Sequence, residues 1–343
     1  MKRSLILILL LIVVTGFRKH ISNGAEWPKS WPEPHYNFRE EGFTTAKAEL
    51  GRALFFDPVL SADGSISCAS CHSPYNAFSH TDHKLSHGIH DSIGFRNAPA
   101  LMNLAWQSSF MWDGAIHHLD FQALAPMTSK AEMGETFPNV IRKINESSFY
   151  RSGFANAFGD SVISGAEILK SMGMFMASLI SCQSKYDSVM QHTRSFTEQE
   201  AHGYTLFRQH CNSCHQEPLF TNGAFATNGL AADPVLNDSG RARITGNSAD
   251  RYLFKVPTLR NIQFTGPYMH DGRFKTLRQV LNHYTSIVRT GELSLSEPQP
   301  EISLTANDQT DLIAFLLTLS DRSFLFDPSH TFPPALLSKT ANK

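Results

Sequence analysis

Apolar residues recur at helical spacing in two well-separated parts of the chain. Ile168, Leu169, Met172, Met176 and Leu179 make one stripe; Leu312, Phe315, Leu316 and Leu319 make another. Each stripe predicts an amphipathic helix with one buried face. Cys182 continues the first stripe and is expected to pack there as a small hydrophobe. Thr197-x-x-Glu200 is a capping box, so a further helix should open at that point. Few segments alternate with period two, and the predicted class is mainly α with long loops. Residues 25–43 cannot form a regular helix through Pro28, Pro32 and Pro34. With Trp27 and Trp31, they read as an extended arm packed by its aromatics. The polar stretch Gln183–Phe196 reads as a linker, and a Pro-containing tail follows the last helix.

The chain opens with Lys2 and Arg3, then the apolar run Leu5–Val14. A basic start and a short apolar run predict a secretory signal over residues 1–24, since a membrane span needs about 20 apolar residues. An uncleaved anchor is the alternative. Phe17 follows Gly16 where a lipoprotein would carry its cysteine, so export without a lipid is expected. No other segment is long and apolar enough to span, so the mature protein is expected to be soluble and periplasmic.

An internal repeat organises the rest. Gly51-Arg52-Ala53-Leu54-Phe55 resembles Gly203-Tyr204-Thr205-Leu206-Phe207. Pro99-Ala100-Leu101-Met102-Asn103 matches Pro257-Thr258-Leu259-Arg260-Asn261. At the same offset, Phe110-Met111-Trp112-Asp113-Gly114 matches Tyr268-Met269-His270-Asp271-Gly272. A tandem duplication predicts two units, 25–185 and 186–343.

Composition narrows the class. The 343 residues are 41% hydrophobic, enough for real cores and too many for a disordered chain. Thirty basic residues against 31 acidic ones give no reason to expect a nucleic-acid partner. Five cysteines stand beside sixteen histidines, and imidazole is the commonest metal ligand.

Four of those cysteines fall in two Cys-x-x-Cys-His motifs, Cys68/Cys71/His72 and Cys211/Cys214/His215. This is the attachment signature of c-type haem. One helical turn brings both thiols to the vinyl groups, and the adjacent histidine reaches the iron. A thioredoxin-like pair needs no histidine and would not occur twice. A zinc site would have to join two pairs lying far apart in the chain.

Leu50–Pro58, Ser67–His72, Arg96-Asn97-Ala98-Pro99 and Trp112-Asp113-Gly114 resemble the bacterial di-haem cytochrome c peroxidase/MauG family. Lys255–Asn261 and Pro267–Gly272 are similar to its second half, and the resemblance spans about 45 to 320. It implies two tandem cytochrome c-like domains, the first haem taking peroxide and the second delivering electrons. Trp112 matches the tryptophan between the haems; Gln122 and Glu132 match the distal amide and carboxylate. A carboxylate there can move a proton between the peroxide oxygens, and an amide can orient them. The resemblance also implies a calcium ion held by the Asn97 side chain and the Thr265 and Pro267 carbonyls, with waters completing the shell.

The second haem's further ligand falls on Tyr284, the MauG-like pattern, with Met269 as rival. Tyrosinate would lower the iron potential and methionine would raise it. On the first haem, His87 matches a removable distal histidine, although the loop also carries His80, His83 and His90 and differs in length. A permanently five-coordinate iron is the other expectation. The favoured function is hydrogen peroxide reduction with electrons from a small cytochrome c or copper protein. Oxidation of a protein side chain, as in MauG, and a non-enzymatic di-haem electron carrier are the alternatives. A homodimer is left open.

Overall fold

The computed structural model describes residues 19–22, 25–159, 162–290 and 302–337. The apolar run Leu5–Val14 lies outside them, and with it most of the expected signal segment. Strands β1 (Lys19–Ser22) and β2 (Ala25–Pro28) pair antiparallel, as do β3 (Phe225–Ala226) and β4 (Phe254–Lys255). Everything else regular is helical. In the first half run α1 (Thr45–Phe56), α2 (Cys68–Cys71), α3 (Leu124–Thr128), α4 (Phe137–Glu146), α5 (Ser148–Phe158) and α6 (Gly165–Ser178). The chain continues through α7 (Lys185–Met190), α8 (Glu198–His210), α9 (Ala242–Thr245), α10 (Leu277–Thr290), α11 (Ala306–Leu317) and α12 (Arg322–Leu325). No helix among the described residues is long and apolar enough to cross a membrane.

Helix starts follow local chemistry. Thr197 accepts from the Glu200 amide while the Glu200 carboxylate takes the Thr197 amide, so the capping box opens α8. Ser164 and Glu167 do the same for α6.

Two hydrophobic cores form. In one, α1 packs on α6, burying the stripe Ile168, Leu169, Met172 and Met176 and, next to it, Cys182. In the other, α8 packs on α11, burying Leu312, Phe315, Leu316 and Leu319. The same close approach recurs in both. A Cβ on Gly51 would come within 1.9 Å of the Ser171 carbonyl oxygen; one on Gly203 would come within 1.9 Å of Asp311's. Only glycine lets these backbones meet. The Phe55–Phe175 and Phe207–Phe315 rings then stack edge-on or tilted at 5.2 and 5.1 Å. Asn103 and Asn261 sit at matching left-handed positions, φ 54° and 55°, and each binds the segment after its helix.

The proline-rich arm is packed by its aromatics. Trp27 and Trp31 meet Trp106 edge-on, and the Trp106 indole donates to the Pro32 carbonyl at 2.7 Å. The polar stretch 183–196 is more than a tether, because it contains α7. Asp187 on α7 takes a bidentate bond from Arg260, at 2.9 and 2.8 Å, with both side chains buried. Its polarity thus answers a buried guanidinium from a distant loop. The tail beyond α11 crosses over, placing Phe324, Leu325 and Leu336 in the first core.

Candidate functional site

Each Cys-x-x-Cys-His motif forms a tight turn closed by its histidine. The His72 amide donates to the Cys68 carbonyl and the His215 amide to the Cys211 carbonyl, both at 2.9 Å. At the second motif the two cysteines and the histidine then line one cavity. One nitrogen of each imidazole is tied back. His72 Nδ1 lies 2.8 Å from the Phe78 carbonyl oxygen; His215 Nδ1 lies 3.0 Å from that of Pro257 and 3.3 Å from that of Phe220. A carbonyl partner makes Nδ1 the donor and leaves Nε2 as the lone-pair nitrogen for a metal.

Burial pushes the Cys68 and Cys211 thiols up to about 12, with Cys71 and Cys214 beside them adding to the effect. A dithiol redox centre needs the opposite shift, toward thiolate.

A cavity of about 310 Å³, within the range of cofactor sites, opens at the second motif. Cys211, Cys214 and His215 line it with Leu281, Leu312, Leu316 and Tyr284. Residues of the first half complete the wall, including Trp112, Gln122 and Asn97. The paired thiols, the oriented imidazole and the largely apolar wall fit a haem c. Met269, Thr265 and Pro267 also face this cavity.

Trp112 is fixed at two points. Its indole N–H donates to the Asn97 carbonyl at 2.9 Å, and its own carbonyl accepts from the Lys255 amide at 2.8 Å. Gln122 Nε2 reaches the Met111 sulfur at 3.6 Å, while Asn228 Nδ2 reaches the Met269 sulfur at 3.3 Å. Met111 and Met269 occupy equivalent left-handed turn positions, φ 68° and 76°. Asn97 is buried, and its amide donates to the Lys84 carbonyl at 3.1 Å, which leaves Oδ1 for another partner.

Glu132 and His87 belong to a different part of the site, near the first motif, and do not line the 310 Å³ cavity. The Cys71 sulfur lies 3.5 Å from the His87 carbonyl oxygen, and the Ile89 amide donates to the Glu132 carbonyl at 2.8 Å. A Cβ on Gly88 would come within 2.6 Å of the Glu132 Cα, so glycine allows the two loops to touch. Burial pushes the Glu132 carboxyl up, against a hydrogen bond from Ser129. His87 stacks on His83 at 4.2 Å, and His83 meets His80 at 5.4 Å.

Lys255 is a functional candidate that motif spacing does not reveal. Its ammonium donates to Gln107 Oε1 and to the Ser109 carbonyl at 2.8 Å. Burial lowers it to about 7. A lone lysine inside the apolar run Phe254-Lys255-Val256-Pro257 was the available signal. A second missed group is Glu41, His118 and Asp120, whose potential ligand atoms lie within 4.8 Å of one another. Lys170 already meets Glu41 at 2.9 Å, and the Asp120 amide donates to His118 Nδ1 at 3.2 Å. This network anchors the turn that leads into Gln122.

Burial pushes the Asp120 carboxyl up to about 6, with Glu41 adding and His118 opposing. A raised carboxyl contributes stability below its ordinary value and loses it as pH rises through about 6. Asp120→Asn removes that dependence. Its melting temperature should therefore gain on wild type between about pH 4 and about pH 7. A constant difference across that window would contradict the assignment.

The sequence model described as di-haem cytochrome c peroxidase matches residues 45–195. The chain is 36% identical to the methylamine utilization protein MauG of Methylorubrum extorquens, over 85% of this chain and 82% of that protein. It is 33% identical to the cytochrome c551 peroxidase of Nitrosomonas europaea, over 80% of this chain and 79% of that one. Among solved structures, a MauG-like protein associated with microbial copper homeostasis superposes with TM-score 0.76 and 30% identity. That match covers 90% of this chain and 98% of the other. With such identity along most of its length, and both haem-attachment turns in place, the chain belongs to the di-haem cytochrome c peroxidase family.

Proposed function

We propose that the protein reduces hydrogen peroxide to water at a haem c carried by Cys68, Cys71 and His72. Family membership implies two haem c groups, and the second would be held by Cys211, Cys214 and His215. The two units are proposed as tandem cytochrome c-like domains, 25–185 and 186–343, in an exported, periplasmic protein. One observation carries the reading: the cavity at the second motif is walled by Trp112 and Gln122 from the first half.

When bound, the haems supply irons that exchange single electrons and, at the first, a position for peroxide. The chain's own residues do the rest. His72 presents Nε2 because its Nδ1 is held by Phe78. Glu132 takes a proton from one peroxide oxygen and returns it to the other, which leaves as water. Gln122 is proposed as the hydrogen-bonding guide, although its amide meets the Met111 sulfur at 3.6 Å and its side chain lines the cavity at the second motif, apart from Glu132. Two electrons and two protons in all convert one peroxide to two waters. Trp112, pinned by Asn97 and Lys255, fills the path between the halves. A small cytochrome c or copper protein would deliver the electrons through a weak, transient contact.

The calcium proposal keeps Asn97 Oδ1 and the Thr265 and Pro267 carbonyls as ligands; all three residues face one cavity. His87 is proposed as the removable ligand of the first iron, supported by its carbonyl's contact with Cys71.

A second reading, MauG-like oxidation of a protein side chain, is favoured by Tyr284. It lines the second cavity, while the Met269 sulfur already takes a bond from Asn228. Tyr284→Phe should alter the second haem's spectrum and Met269→Leu should leave it in place. The reverse pattern would assign the methionine. Steady-state peroxide reduction with a reduced cytochrome donor tests the function itself. Peroxide-dependent donor oxidation supports the reading, and its absence in a di-haem preparation contradicts it.

A further inference from the structure

The two proximal histidines each meet the carbonyl of a left-handed phenylalanine, held by different parts of the chain. His72 donates Nδ1–H to the Phe78 carbonyl at 2.8 Å, and His215 shares its Nδ1–H between the carbonyls of Pro257 at 3.0 Å and Phe220 at 3.3 Å; both phenylalanines are in the left-handed region, at φ 58° and 56°. For a bulky aromatic residue this conformation is strained and persists only where the surroundings over-determine it. Phe220 is caged by rings of the second core, Tyr186, Phe207 and Phe315 at 4.8, 5.3 and 6.3 Å, with the Arg260 guanidinium 5.6 Å over it. Phe78 is caged differently. Phe55 and Phe175 cover it from its own core at 5.7 and 6.2 Å. Phe324 and His330 close the other side, each at 5.9 Å.

Those last two rings come from the C-terminal tail, some 250 residues along the chain. The tail is itself pinned. Asp321 accepts from Ser181 and from the Gln183 amide, and His330 Nδ1 bonds the Phe324 carbonyl at 2.8 Å. Arg52 on α1 donates to the Ser329 carbonyl at 3.2 Å, and Phe332 packs on Phe56. Phe324 is 2% exposed and His330 7%, so this side of the cage is closed.

We propose that the C-terminal segment 321–337 is a positioning element for His72, acting through Phe78. The hydrogen bond on a ligating histidine's second nitrogen sets ring orientation and ligand basicity. A loosened cage lets Phe78 leave its strained conformation and weakens the bond to Nδ1. A less basic His72 stabilises ferric iron less, so the first haem's potential rises. Among the described residues the Phe220 ring meets no ring of the tail, and the second haem's potential stays where it is. The segment thus tunes one haem and not the other.

The inference rests on His72 and His215 being haem ligands, and the pyridine haemochrome spectrum reports that separately: two haems c per chain uphold it. On the holoprotein, spectroelectrochemistry of Phe324→Leu then reads the two midpoint potentials. The expected result is an upward shift of the first haem's potential with the second unchanged. Phe154→Leu is the control, since its ring stacks on Phe158 in the same core. It should lower stability and move neither potential. If Phe324→Leu does not fold, His330→Leu must give the same one-sided shift. Equal shifts at both haems, no shift in a folded variant, or the same shift in Phe154→Leu would overturn the proposal.

Discussion

Glu132→Gln should slow peroxide turnover by about 10²–10⁴-fold, the usual contribution of a positioned proton-transfer group. The substitution keeps size and hydrogen-bonding capacity and removes only the ability to carry a proton. The backbone around Glu132 is over-determined: its amide donates to Ser129 and its carbonyl accepts from Ile89. Gly88 fits against it with no room for a Cβ. The amide variant should therefore sit where the carboxyl sits. Burial pushes the Glu132 carboxyl up, against a hydrogen bond from Ser129, which is the direction an acid–base group needs. The loss should appear in kcat, with peroxide binding little changed. An unchanged rate would remove Glu132 from the acid–base role.

Arg96→Met should cost about 3–5 kcal/mol of unfolding free energy, because it strands two buried carboxylates. Arg96 bonds Asp113 at 2.6 Å and Asp238 at 2.7 and 2.9 Å. These side chains are only 11%, 8% and 3% exposed. Burial alone would raise Asp238; the guanidinium outweighs it and holds the carboxyl below its usual range. Asp113 belongs to the Trp112-Asp113-Gly114 turn and Asp238 to the second half, so this arginine joins the halves behind Trp112. Lysine cannot reproduce the fork, and Arg96→Lys should recover only part of the loss. Adding Asp238→Leu to Arg96→Met should restore some stability, a non-additivity expected of contacting partners. Denaturant titration of the four proteins checks this; a loss within about 0.5 kcal/mol for Arg96→Met would contradict it.

The readable parts of this chain are the local ones. Cys-x-x-Cys-His needs a single turn to bring its groups together, and the Thr197–Glu200 box needs only three residues. The stripes of α6 and α11 announce their buried faces through periodicity. Lys255, the Glu41–His118–Asp120 network and the tail around Phe78 come together only in the folded chain. The stretch around α7 reads as a linker from sequence because Asp187 is polar and its partner Arg260 lies far along the chain. Nor does spacing show that Phe78 and Phe220 are strained in the same way, since both read as ordinary core residues.

On the proposed function, one iron is open to peroxide while the other only transfers electrons. The most direct measurement is the visible and EPR spectrum of the purified di-haem protein, fully oxidised and then partly reduced, with peroxide added to each. One haem per chain should be high-spin or become so, and this haem alone should react with peroxide. Two low-spin, six-coordinate haems in both states, unaltered by peroxide, would contradict it.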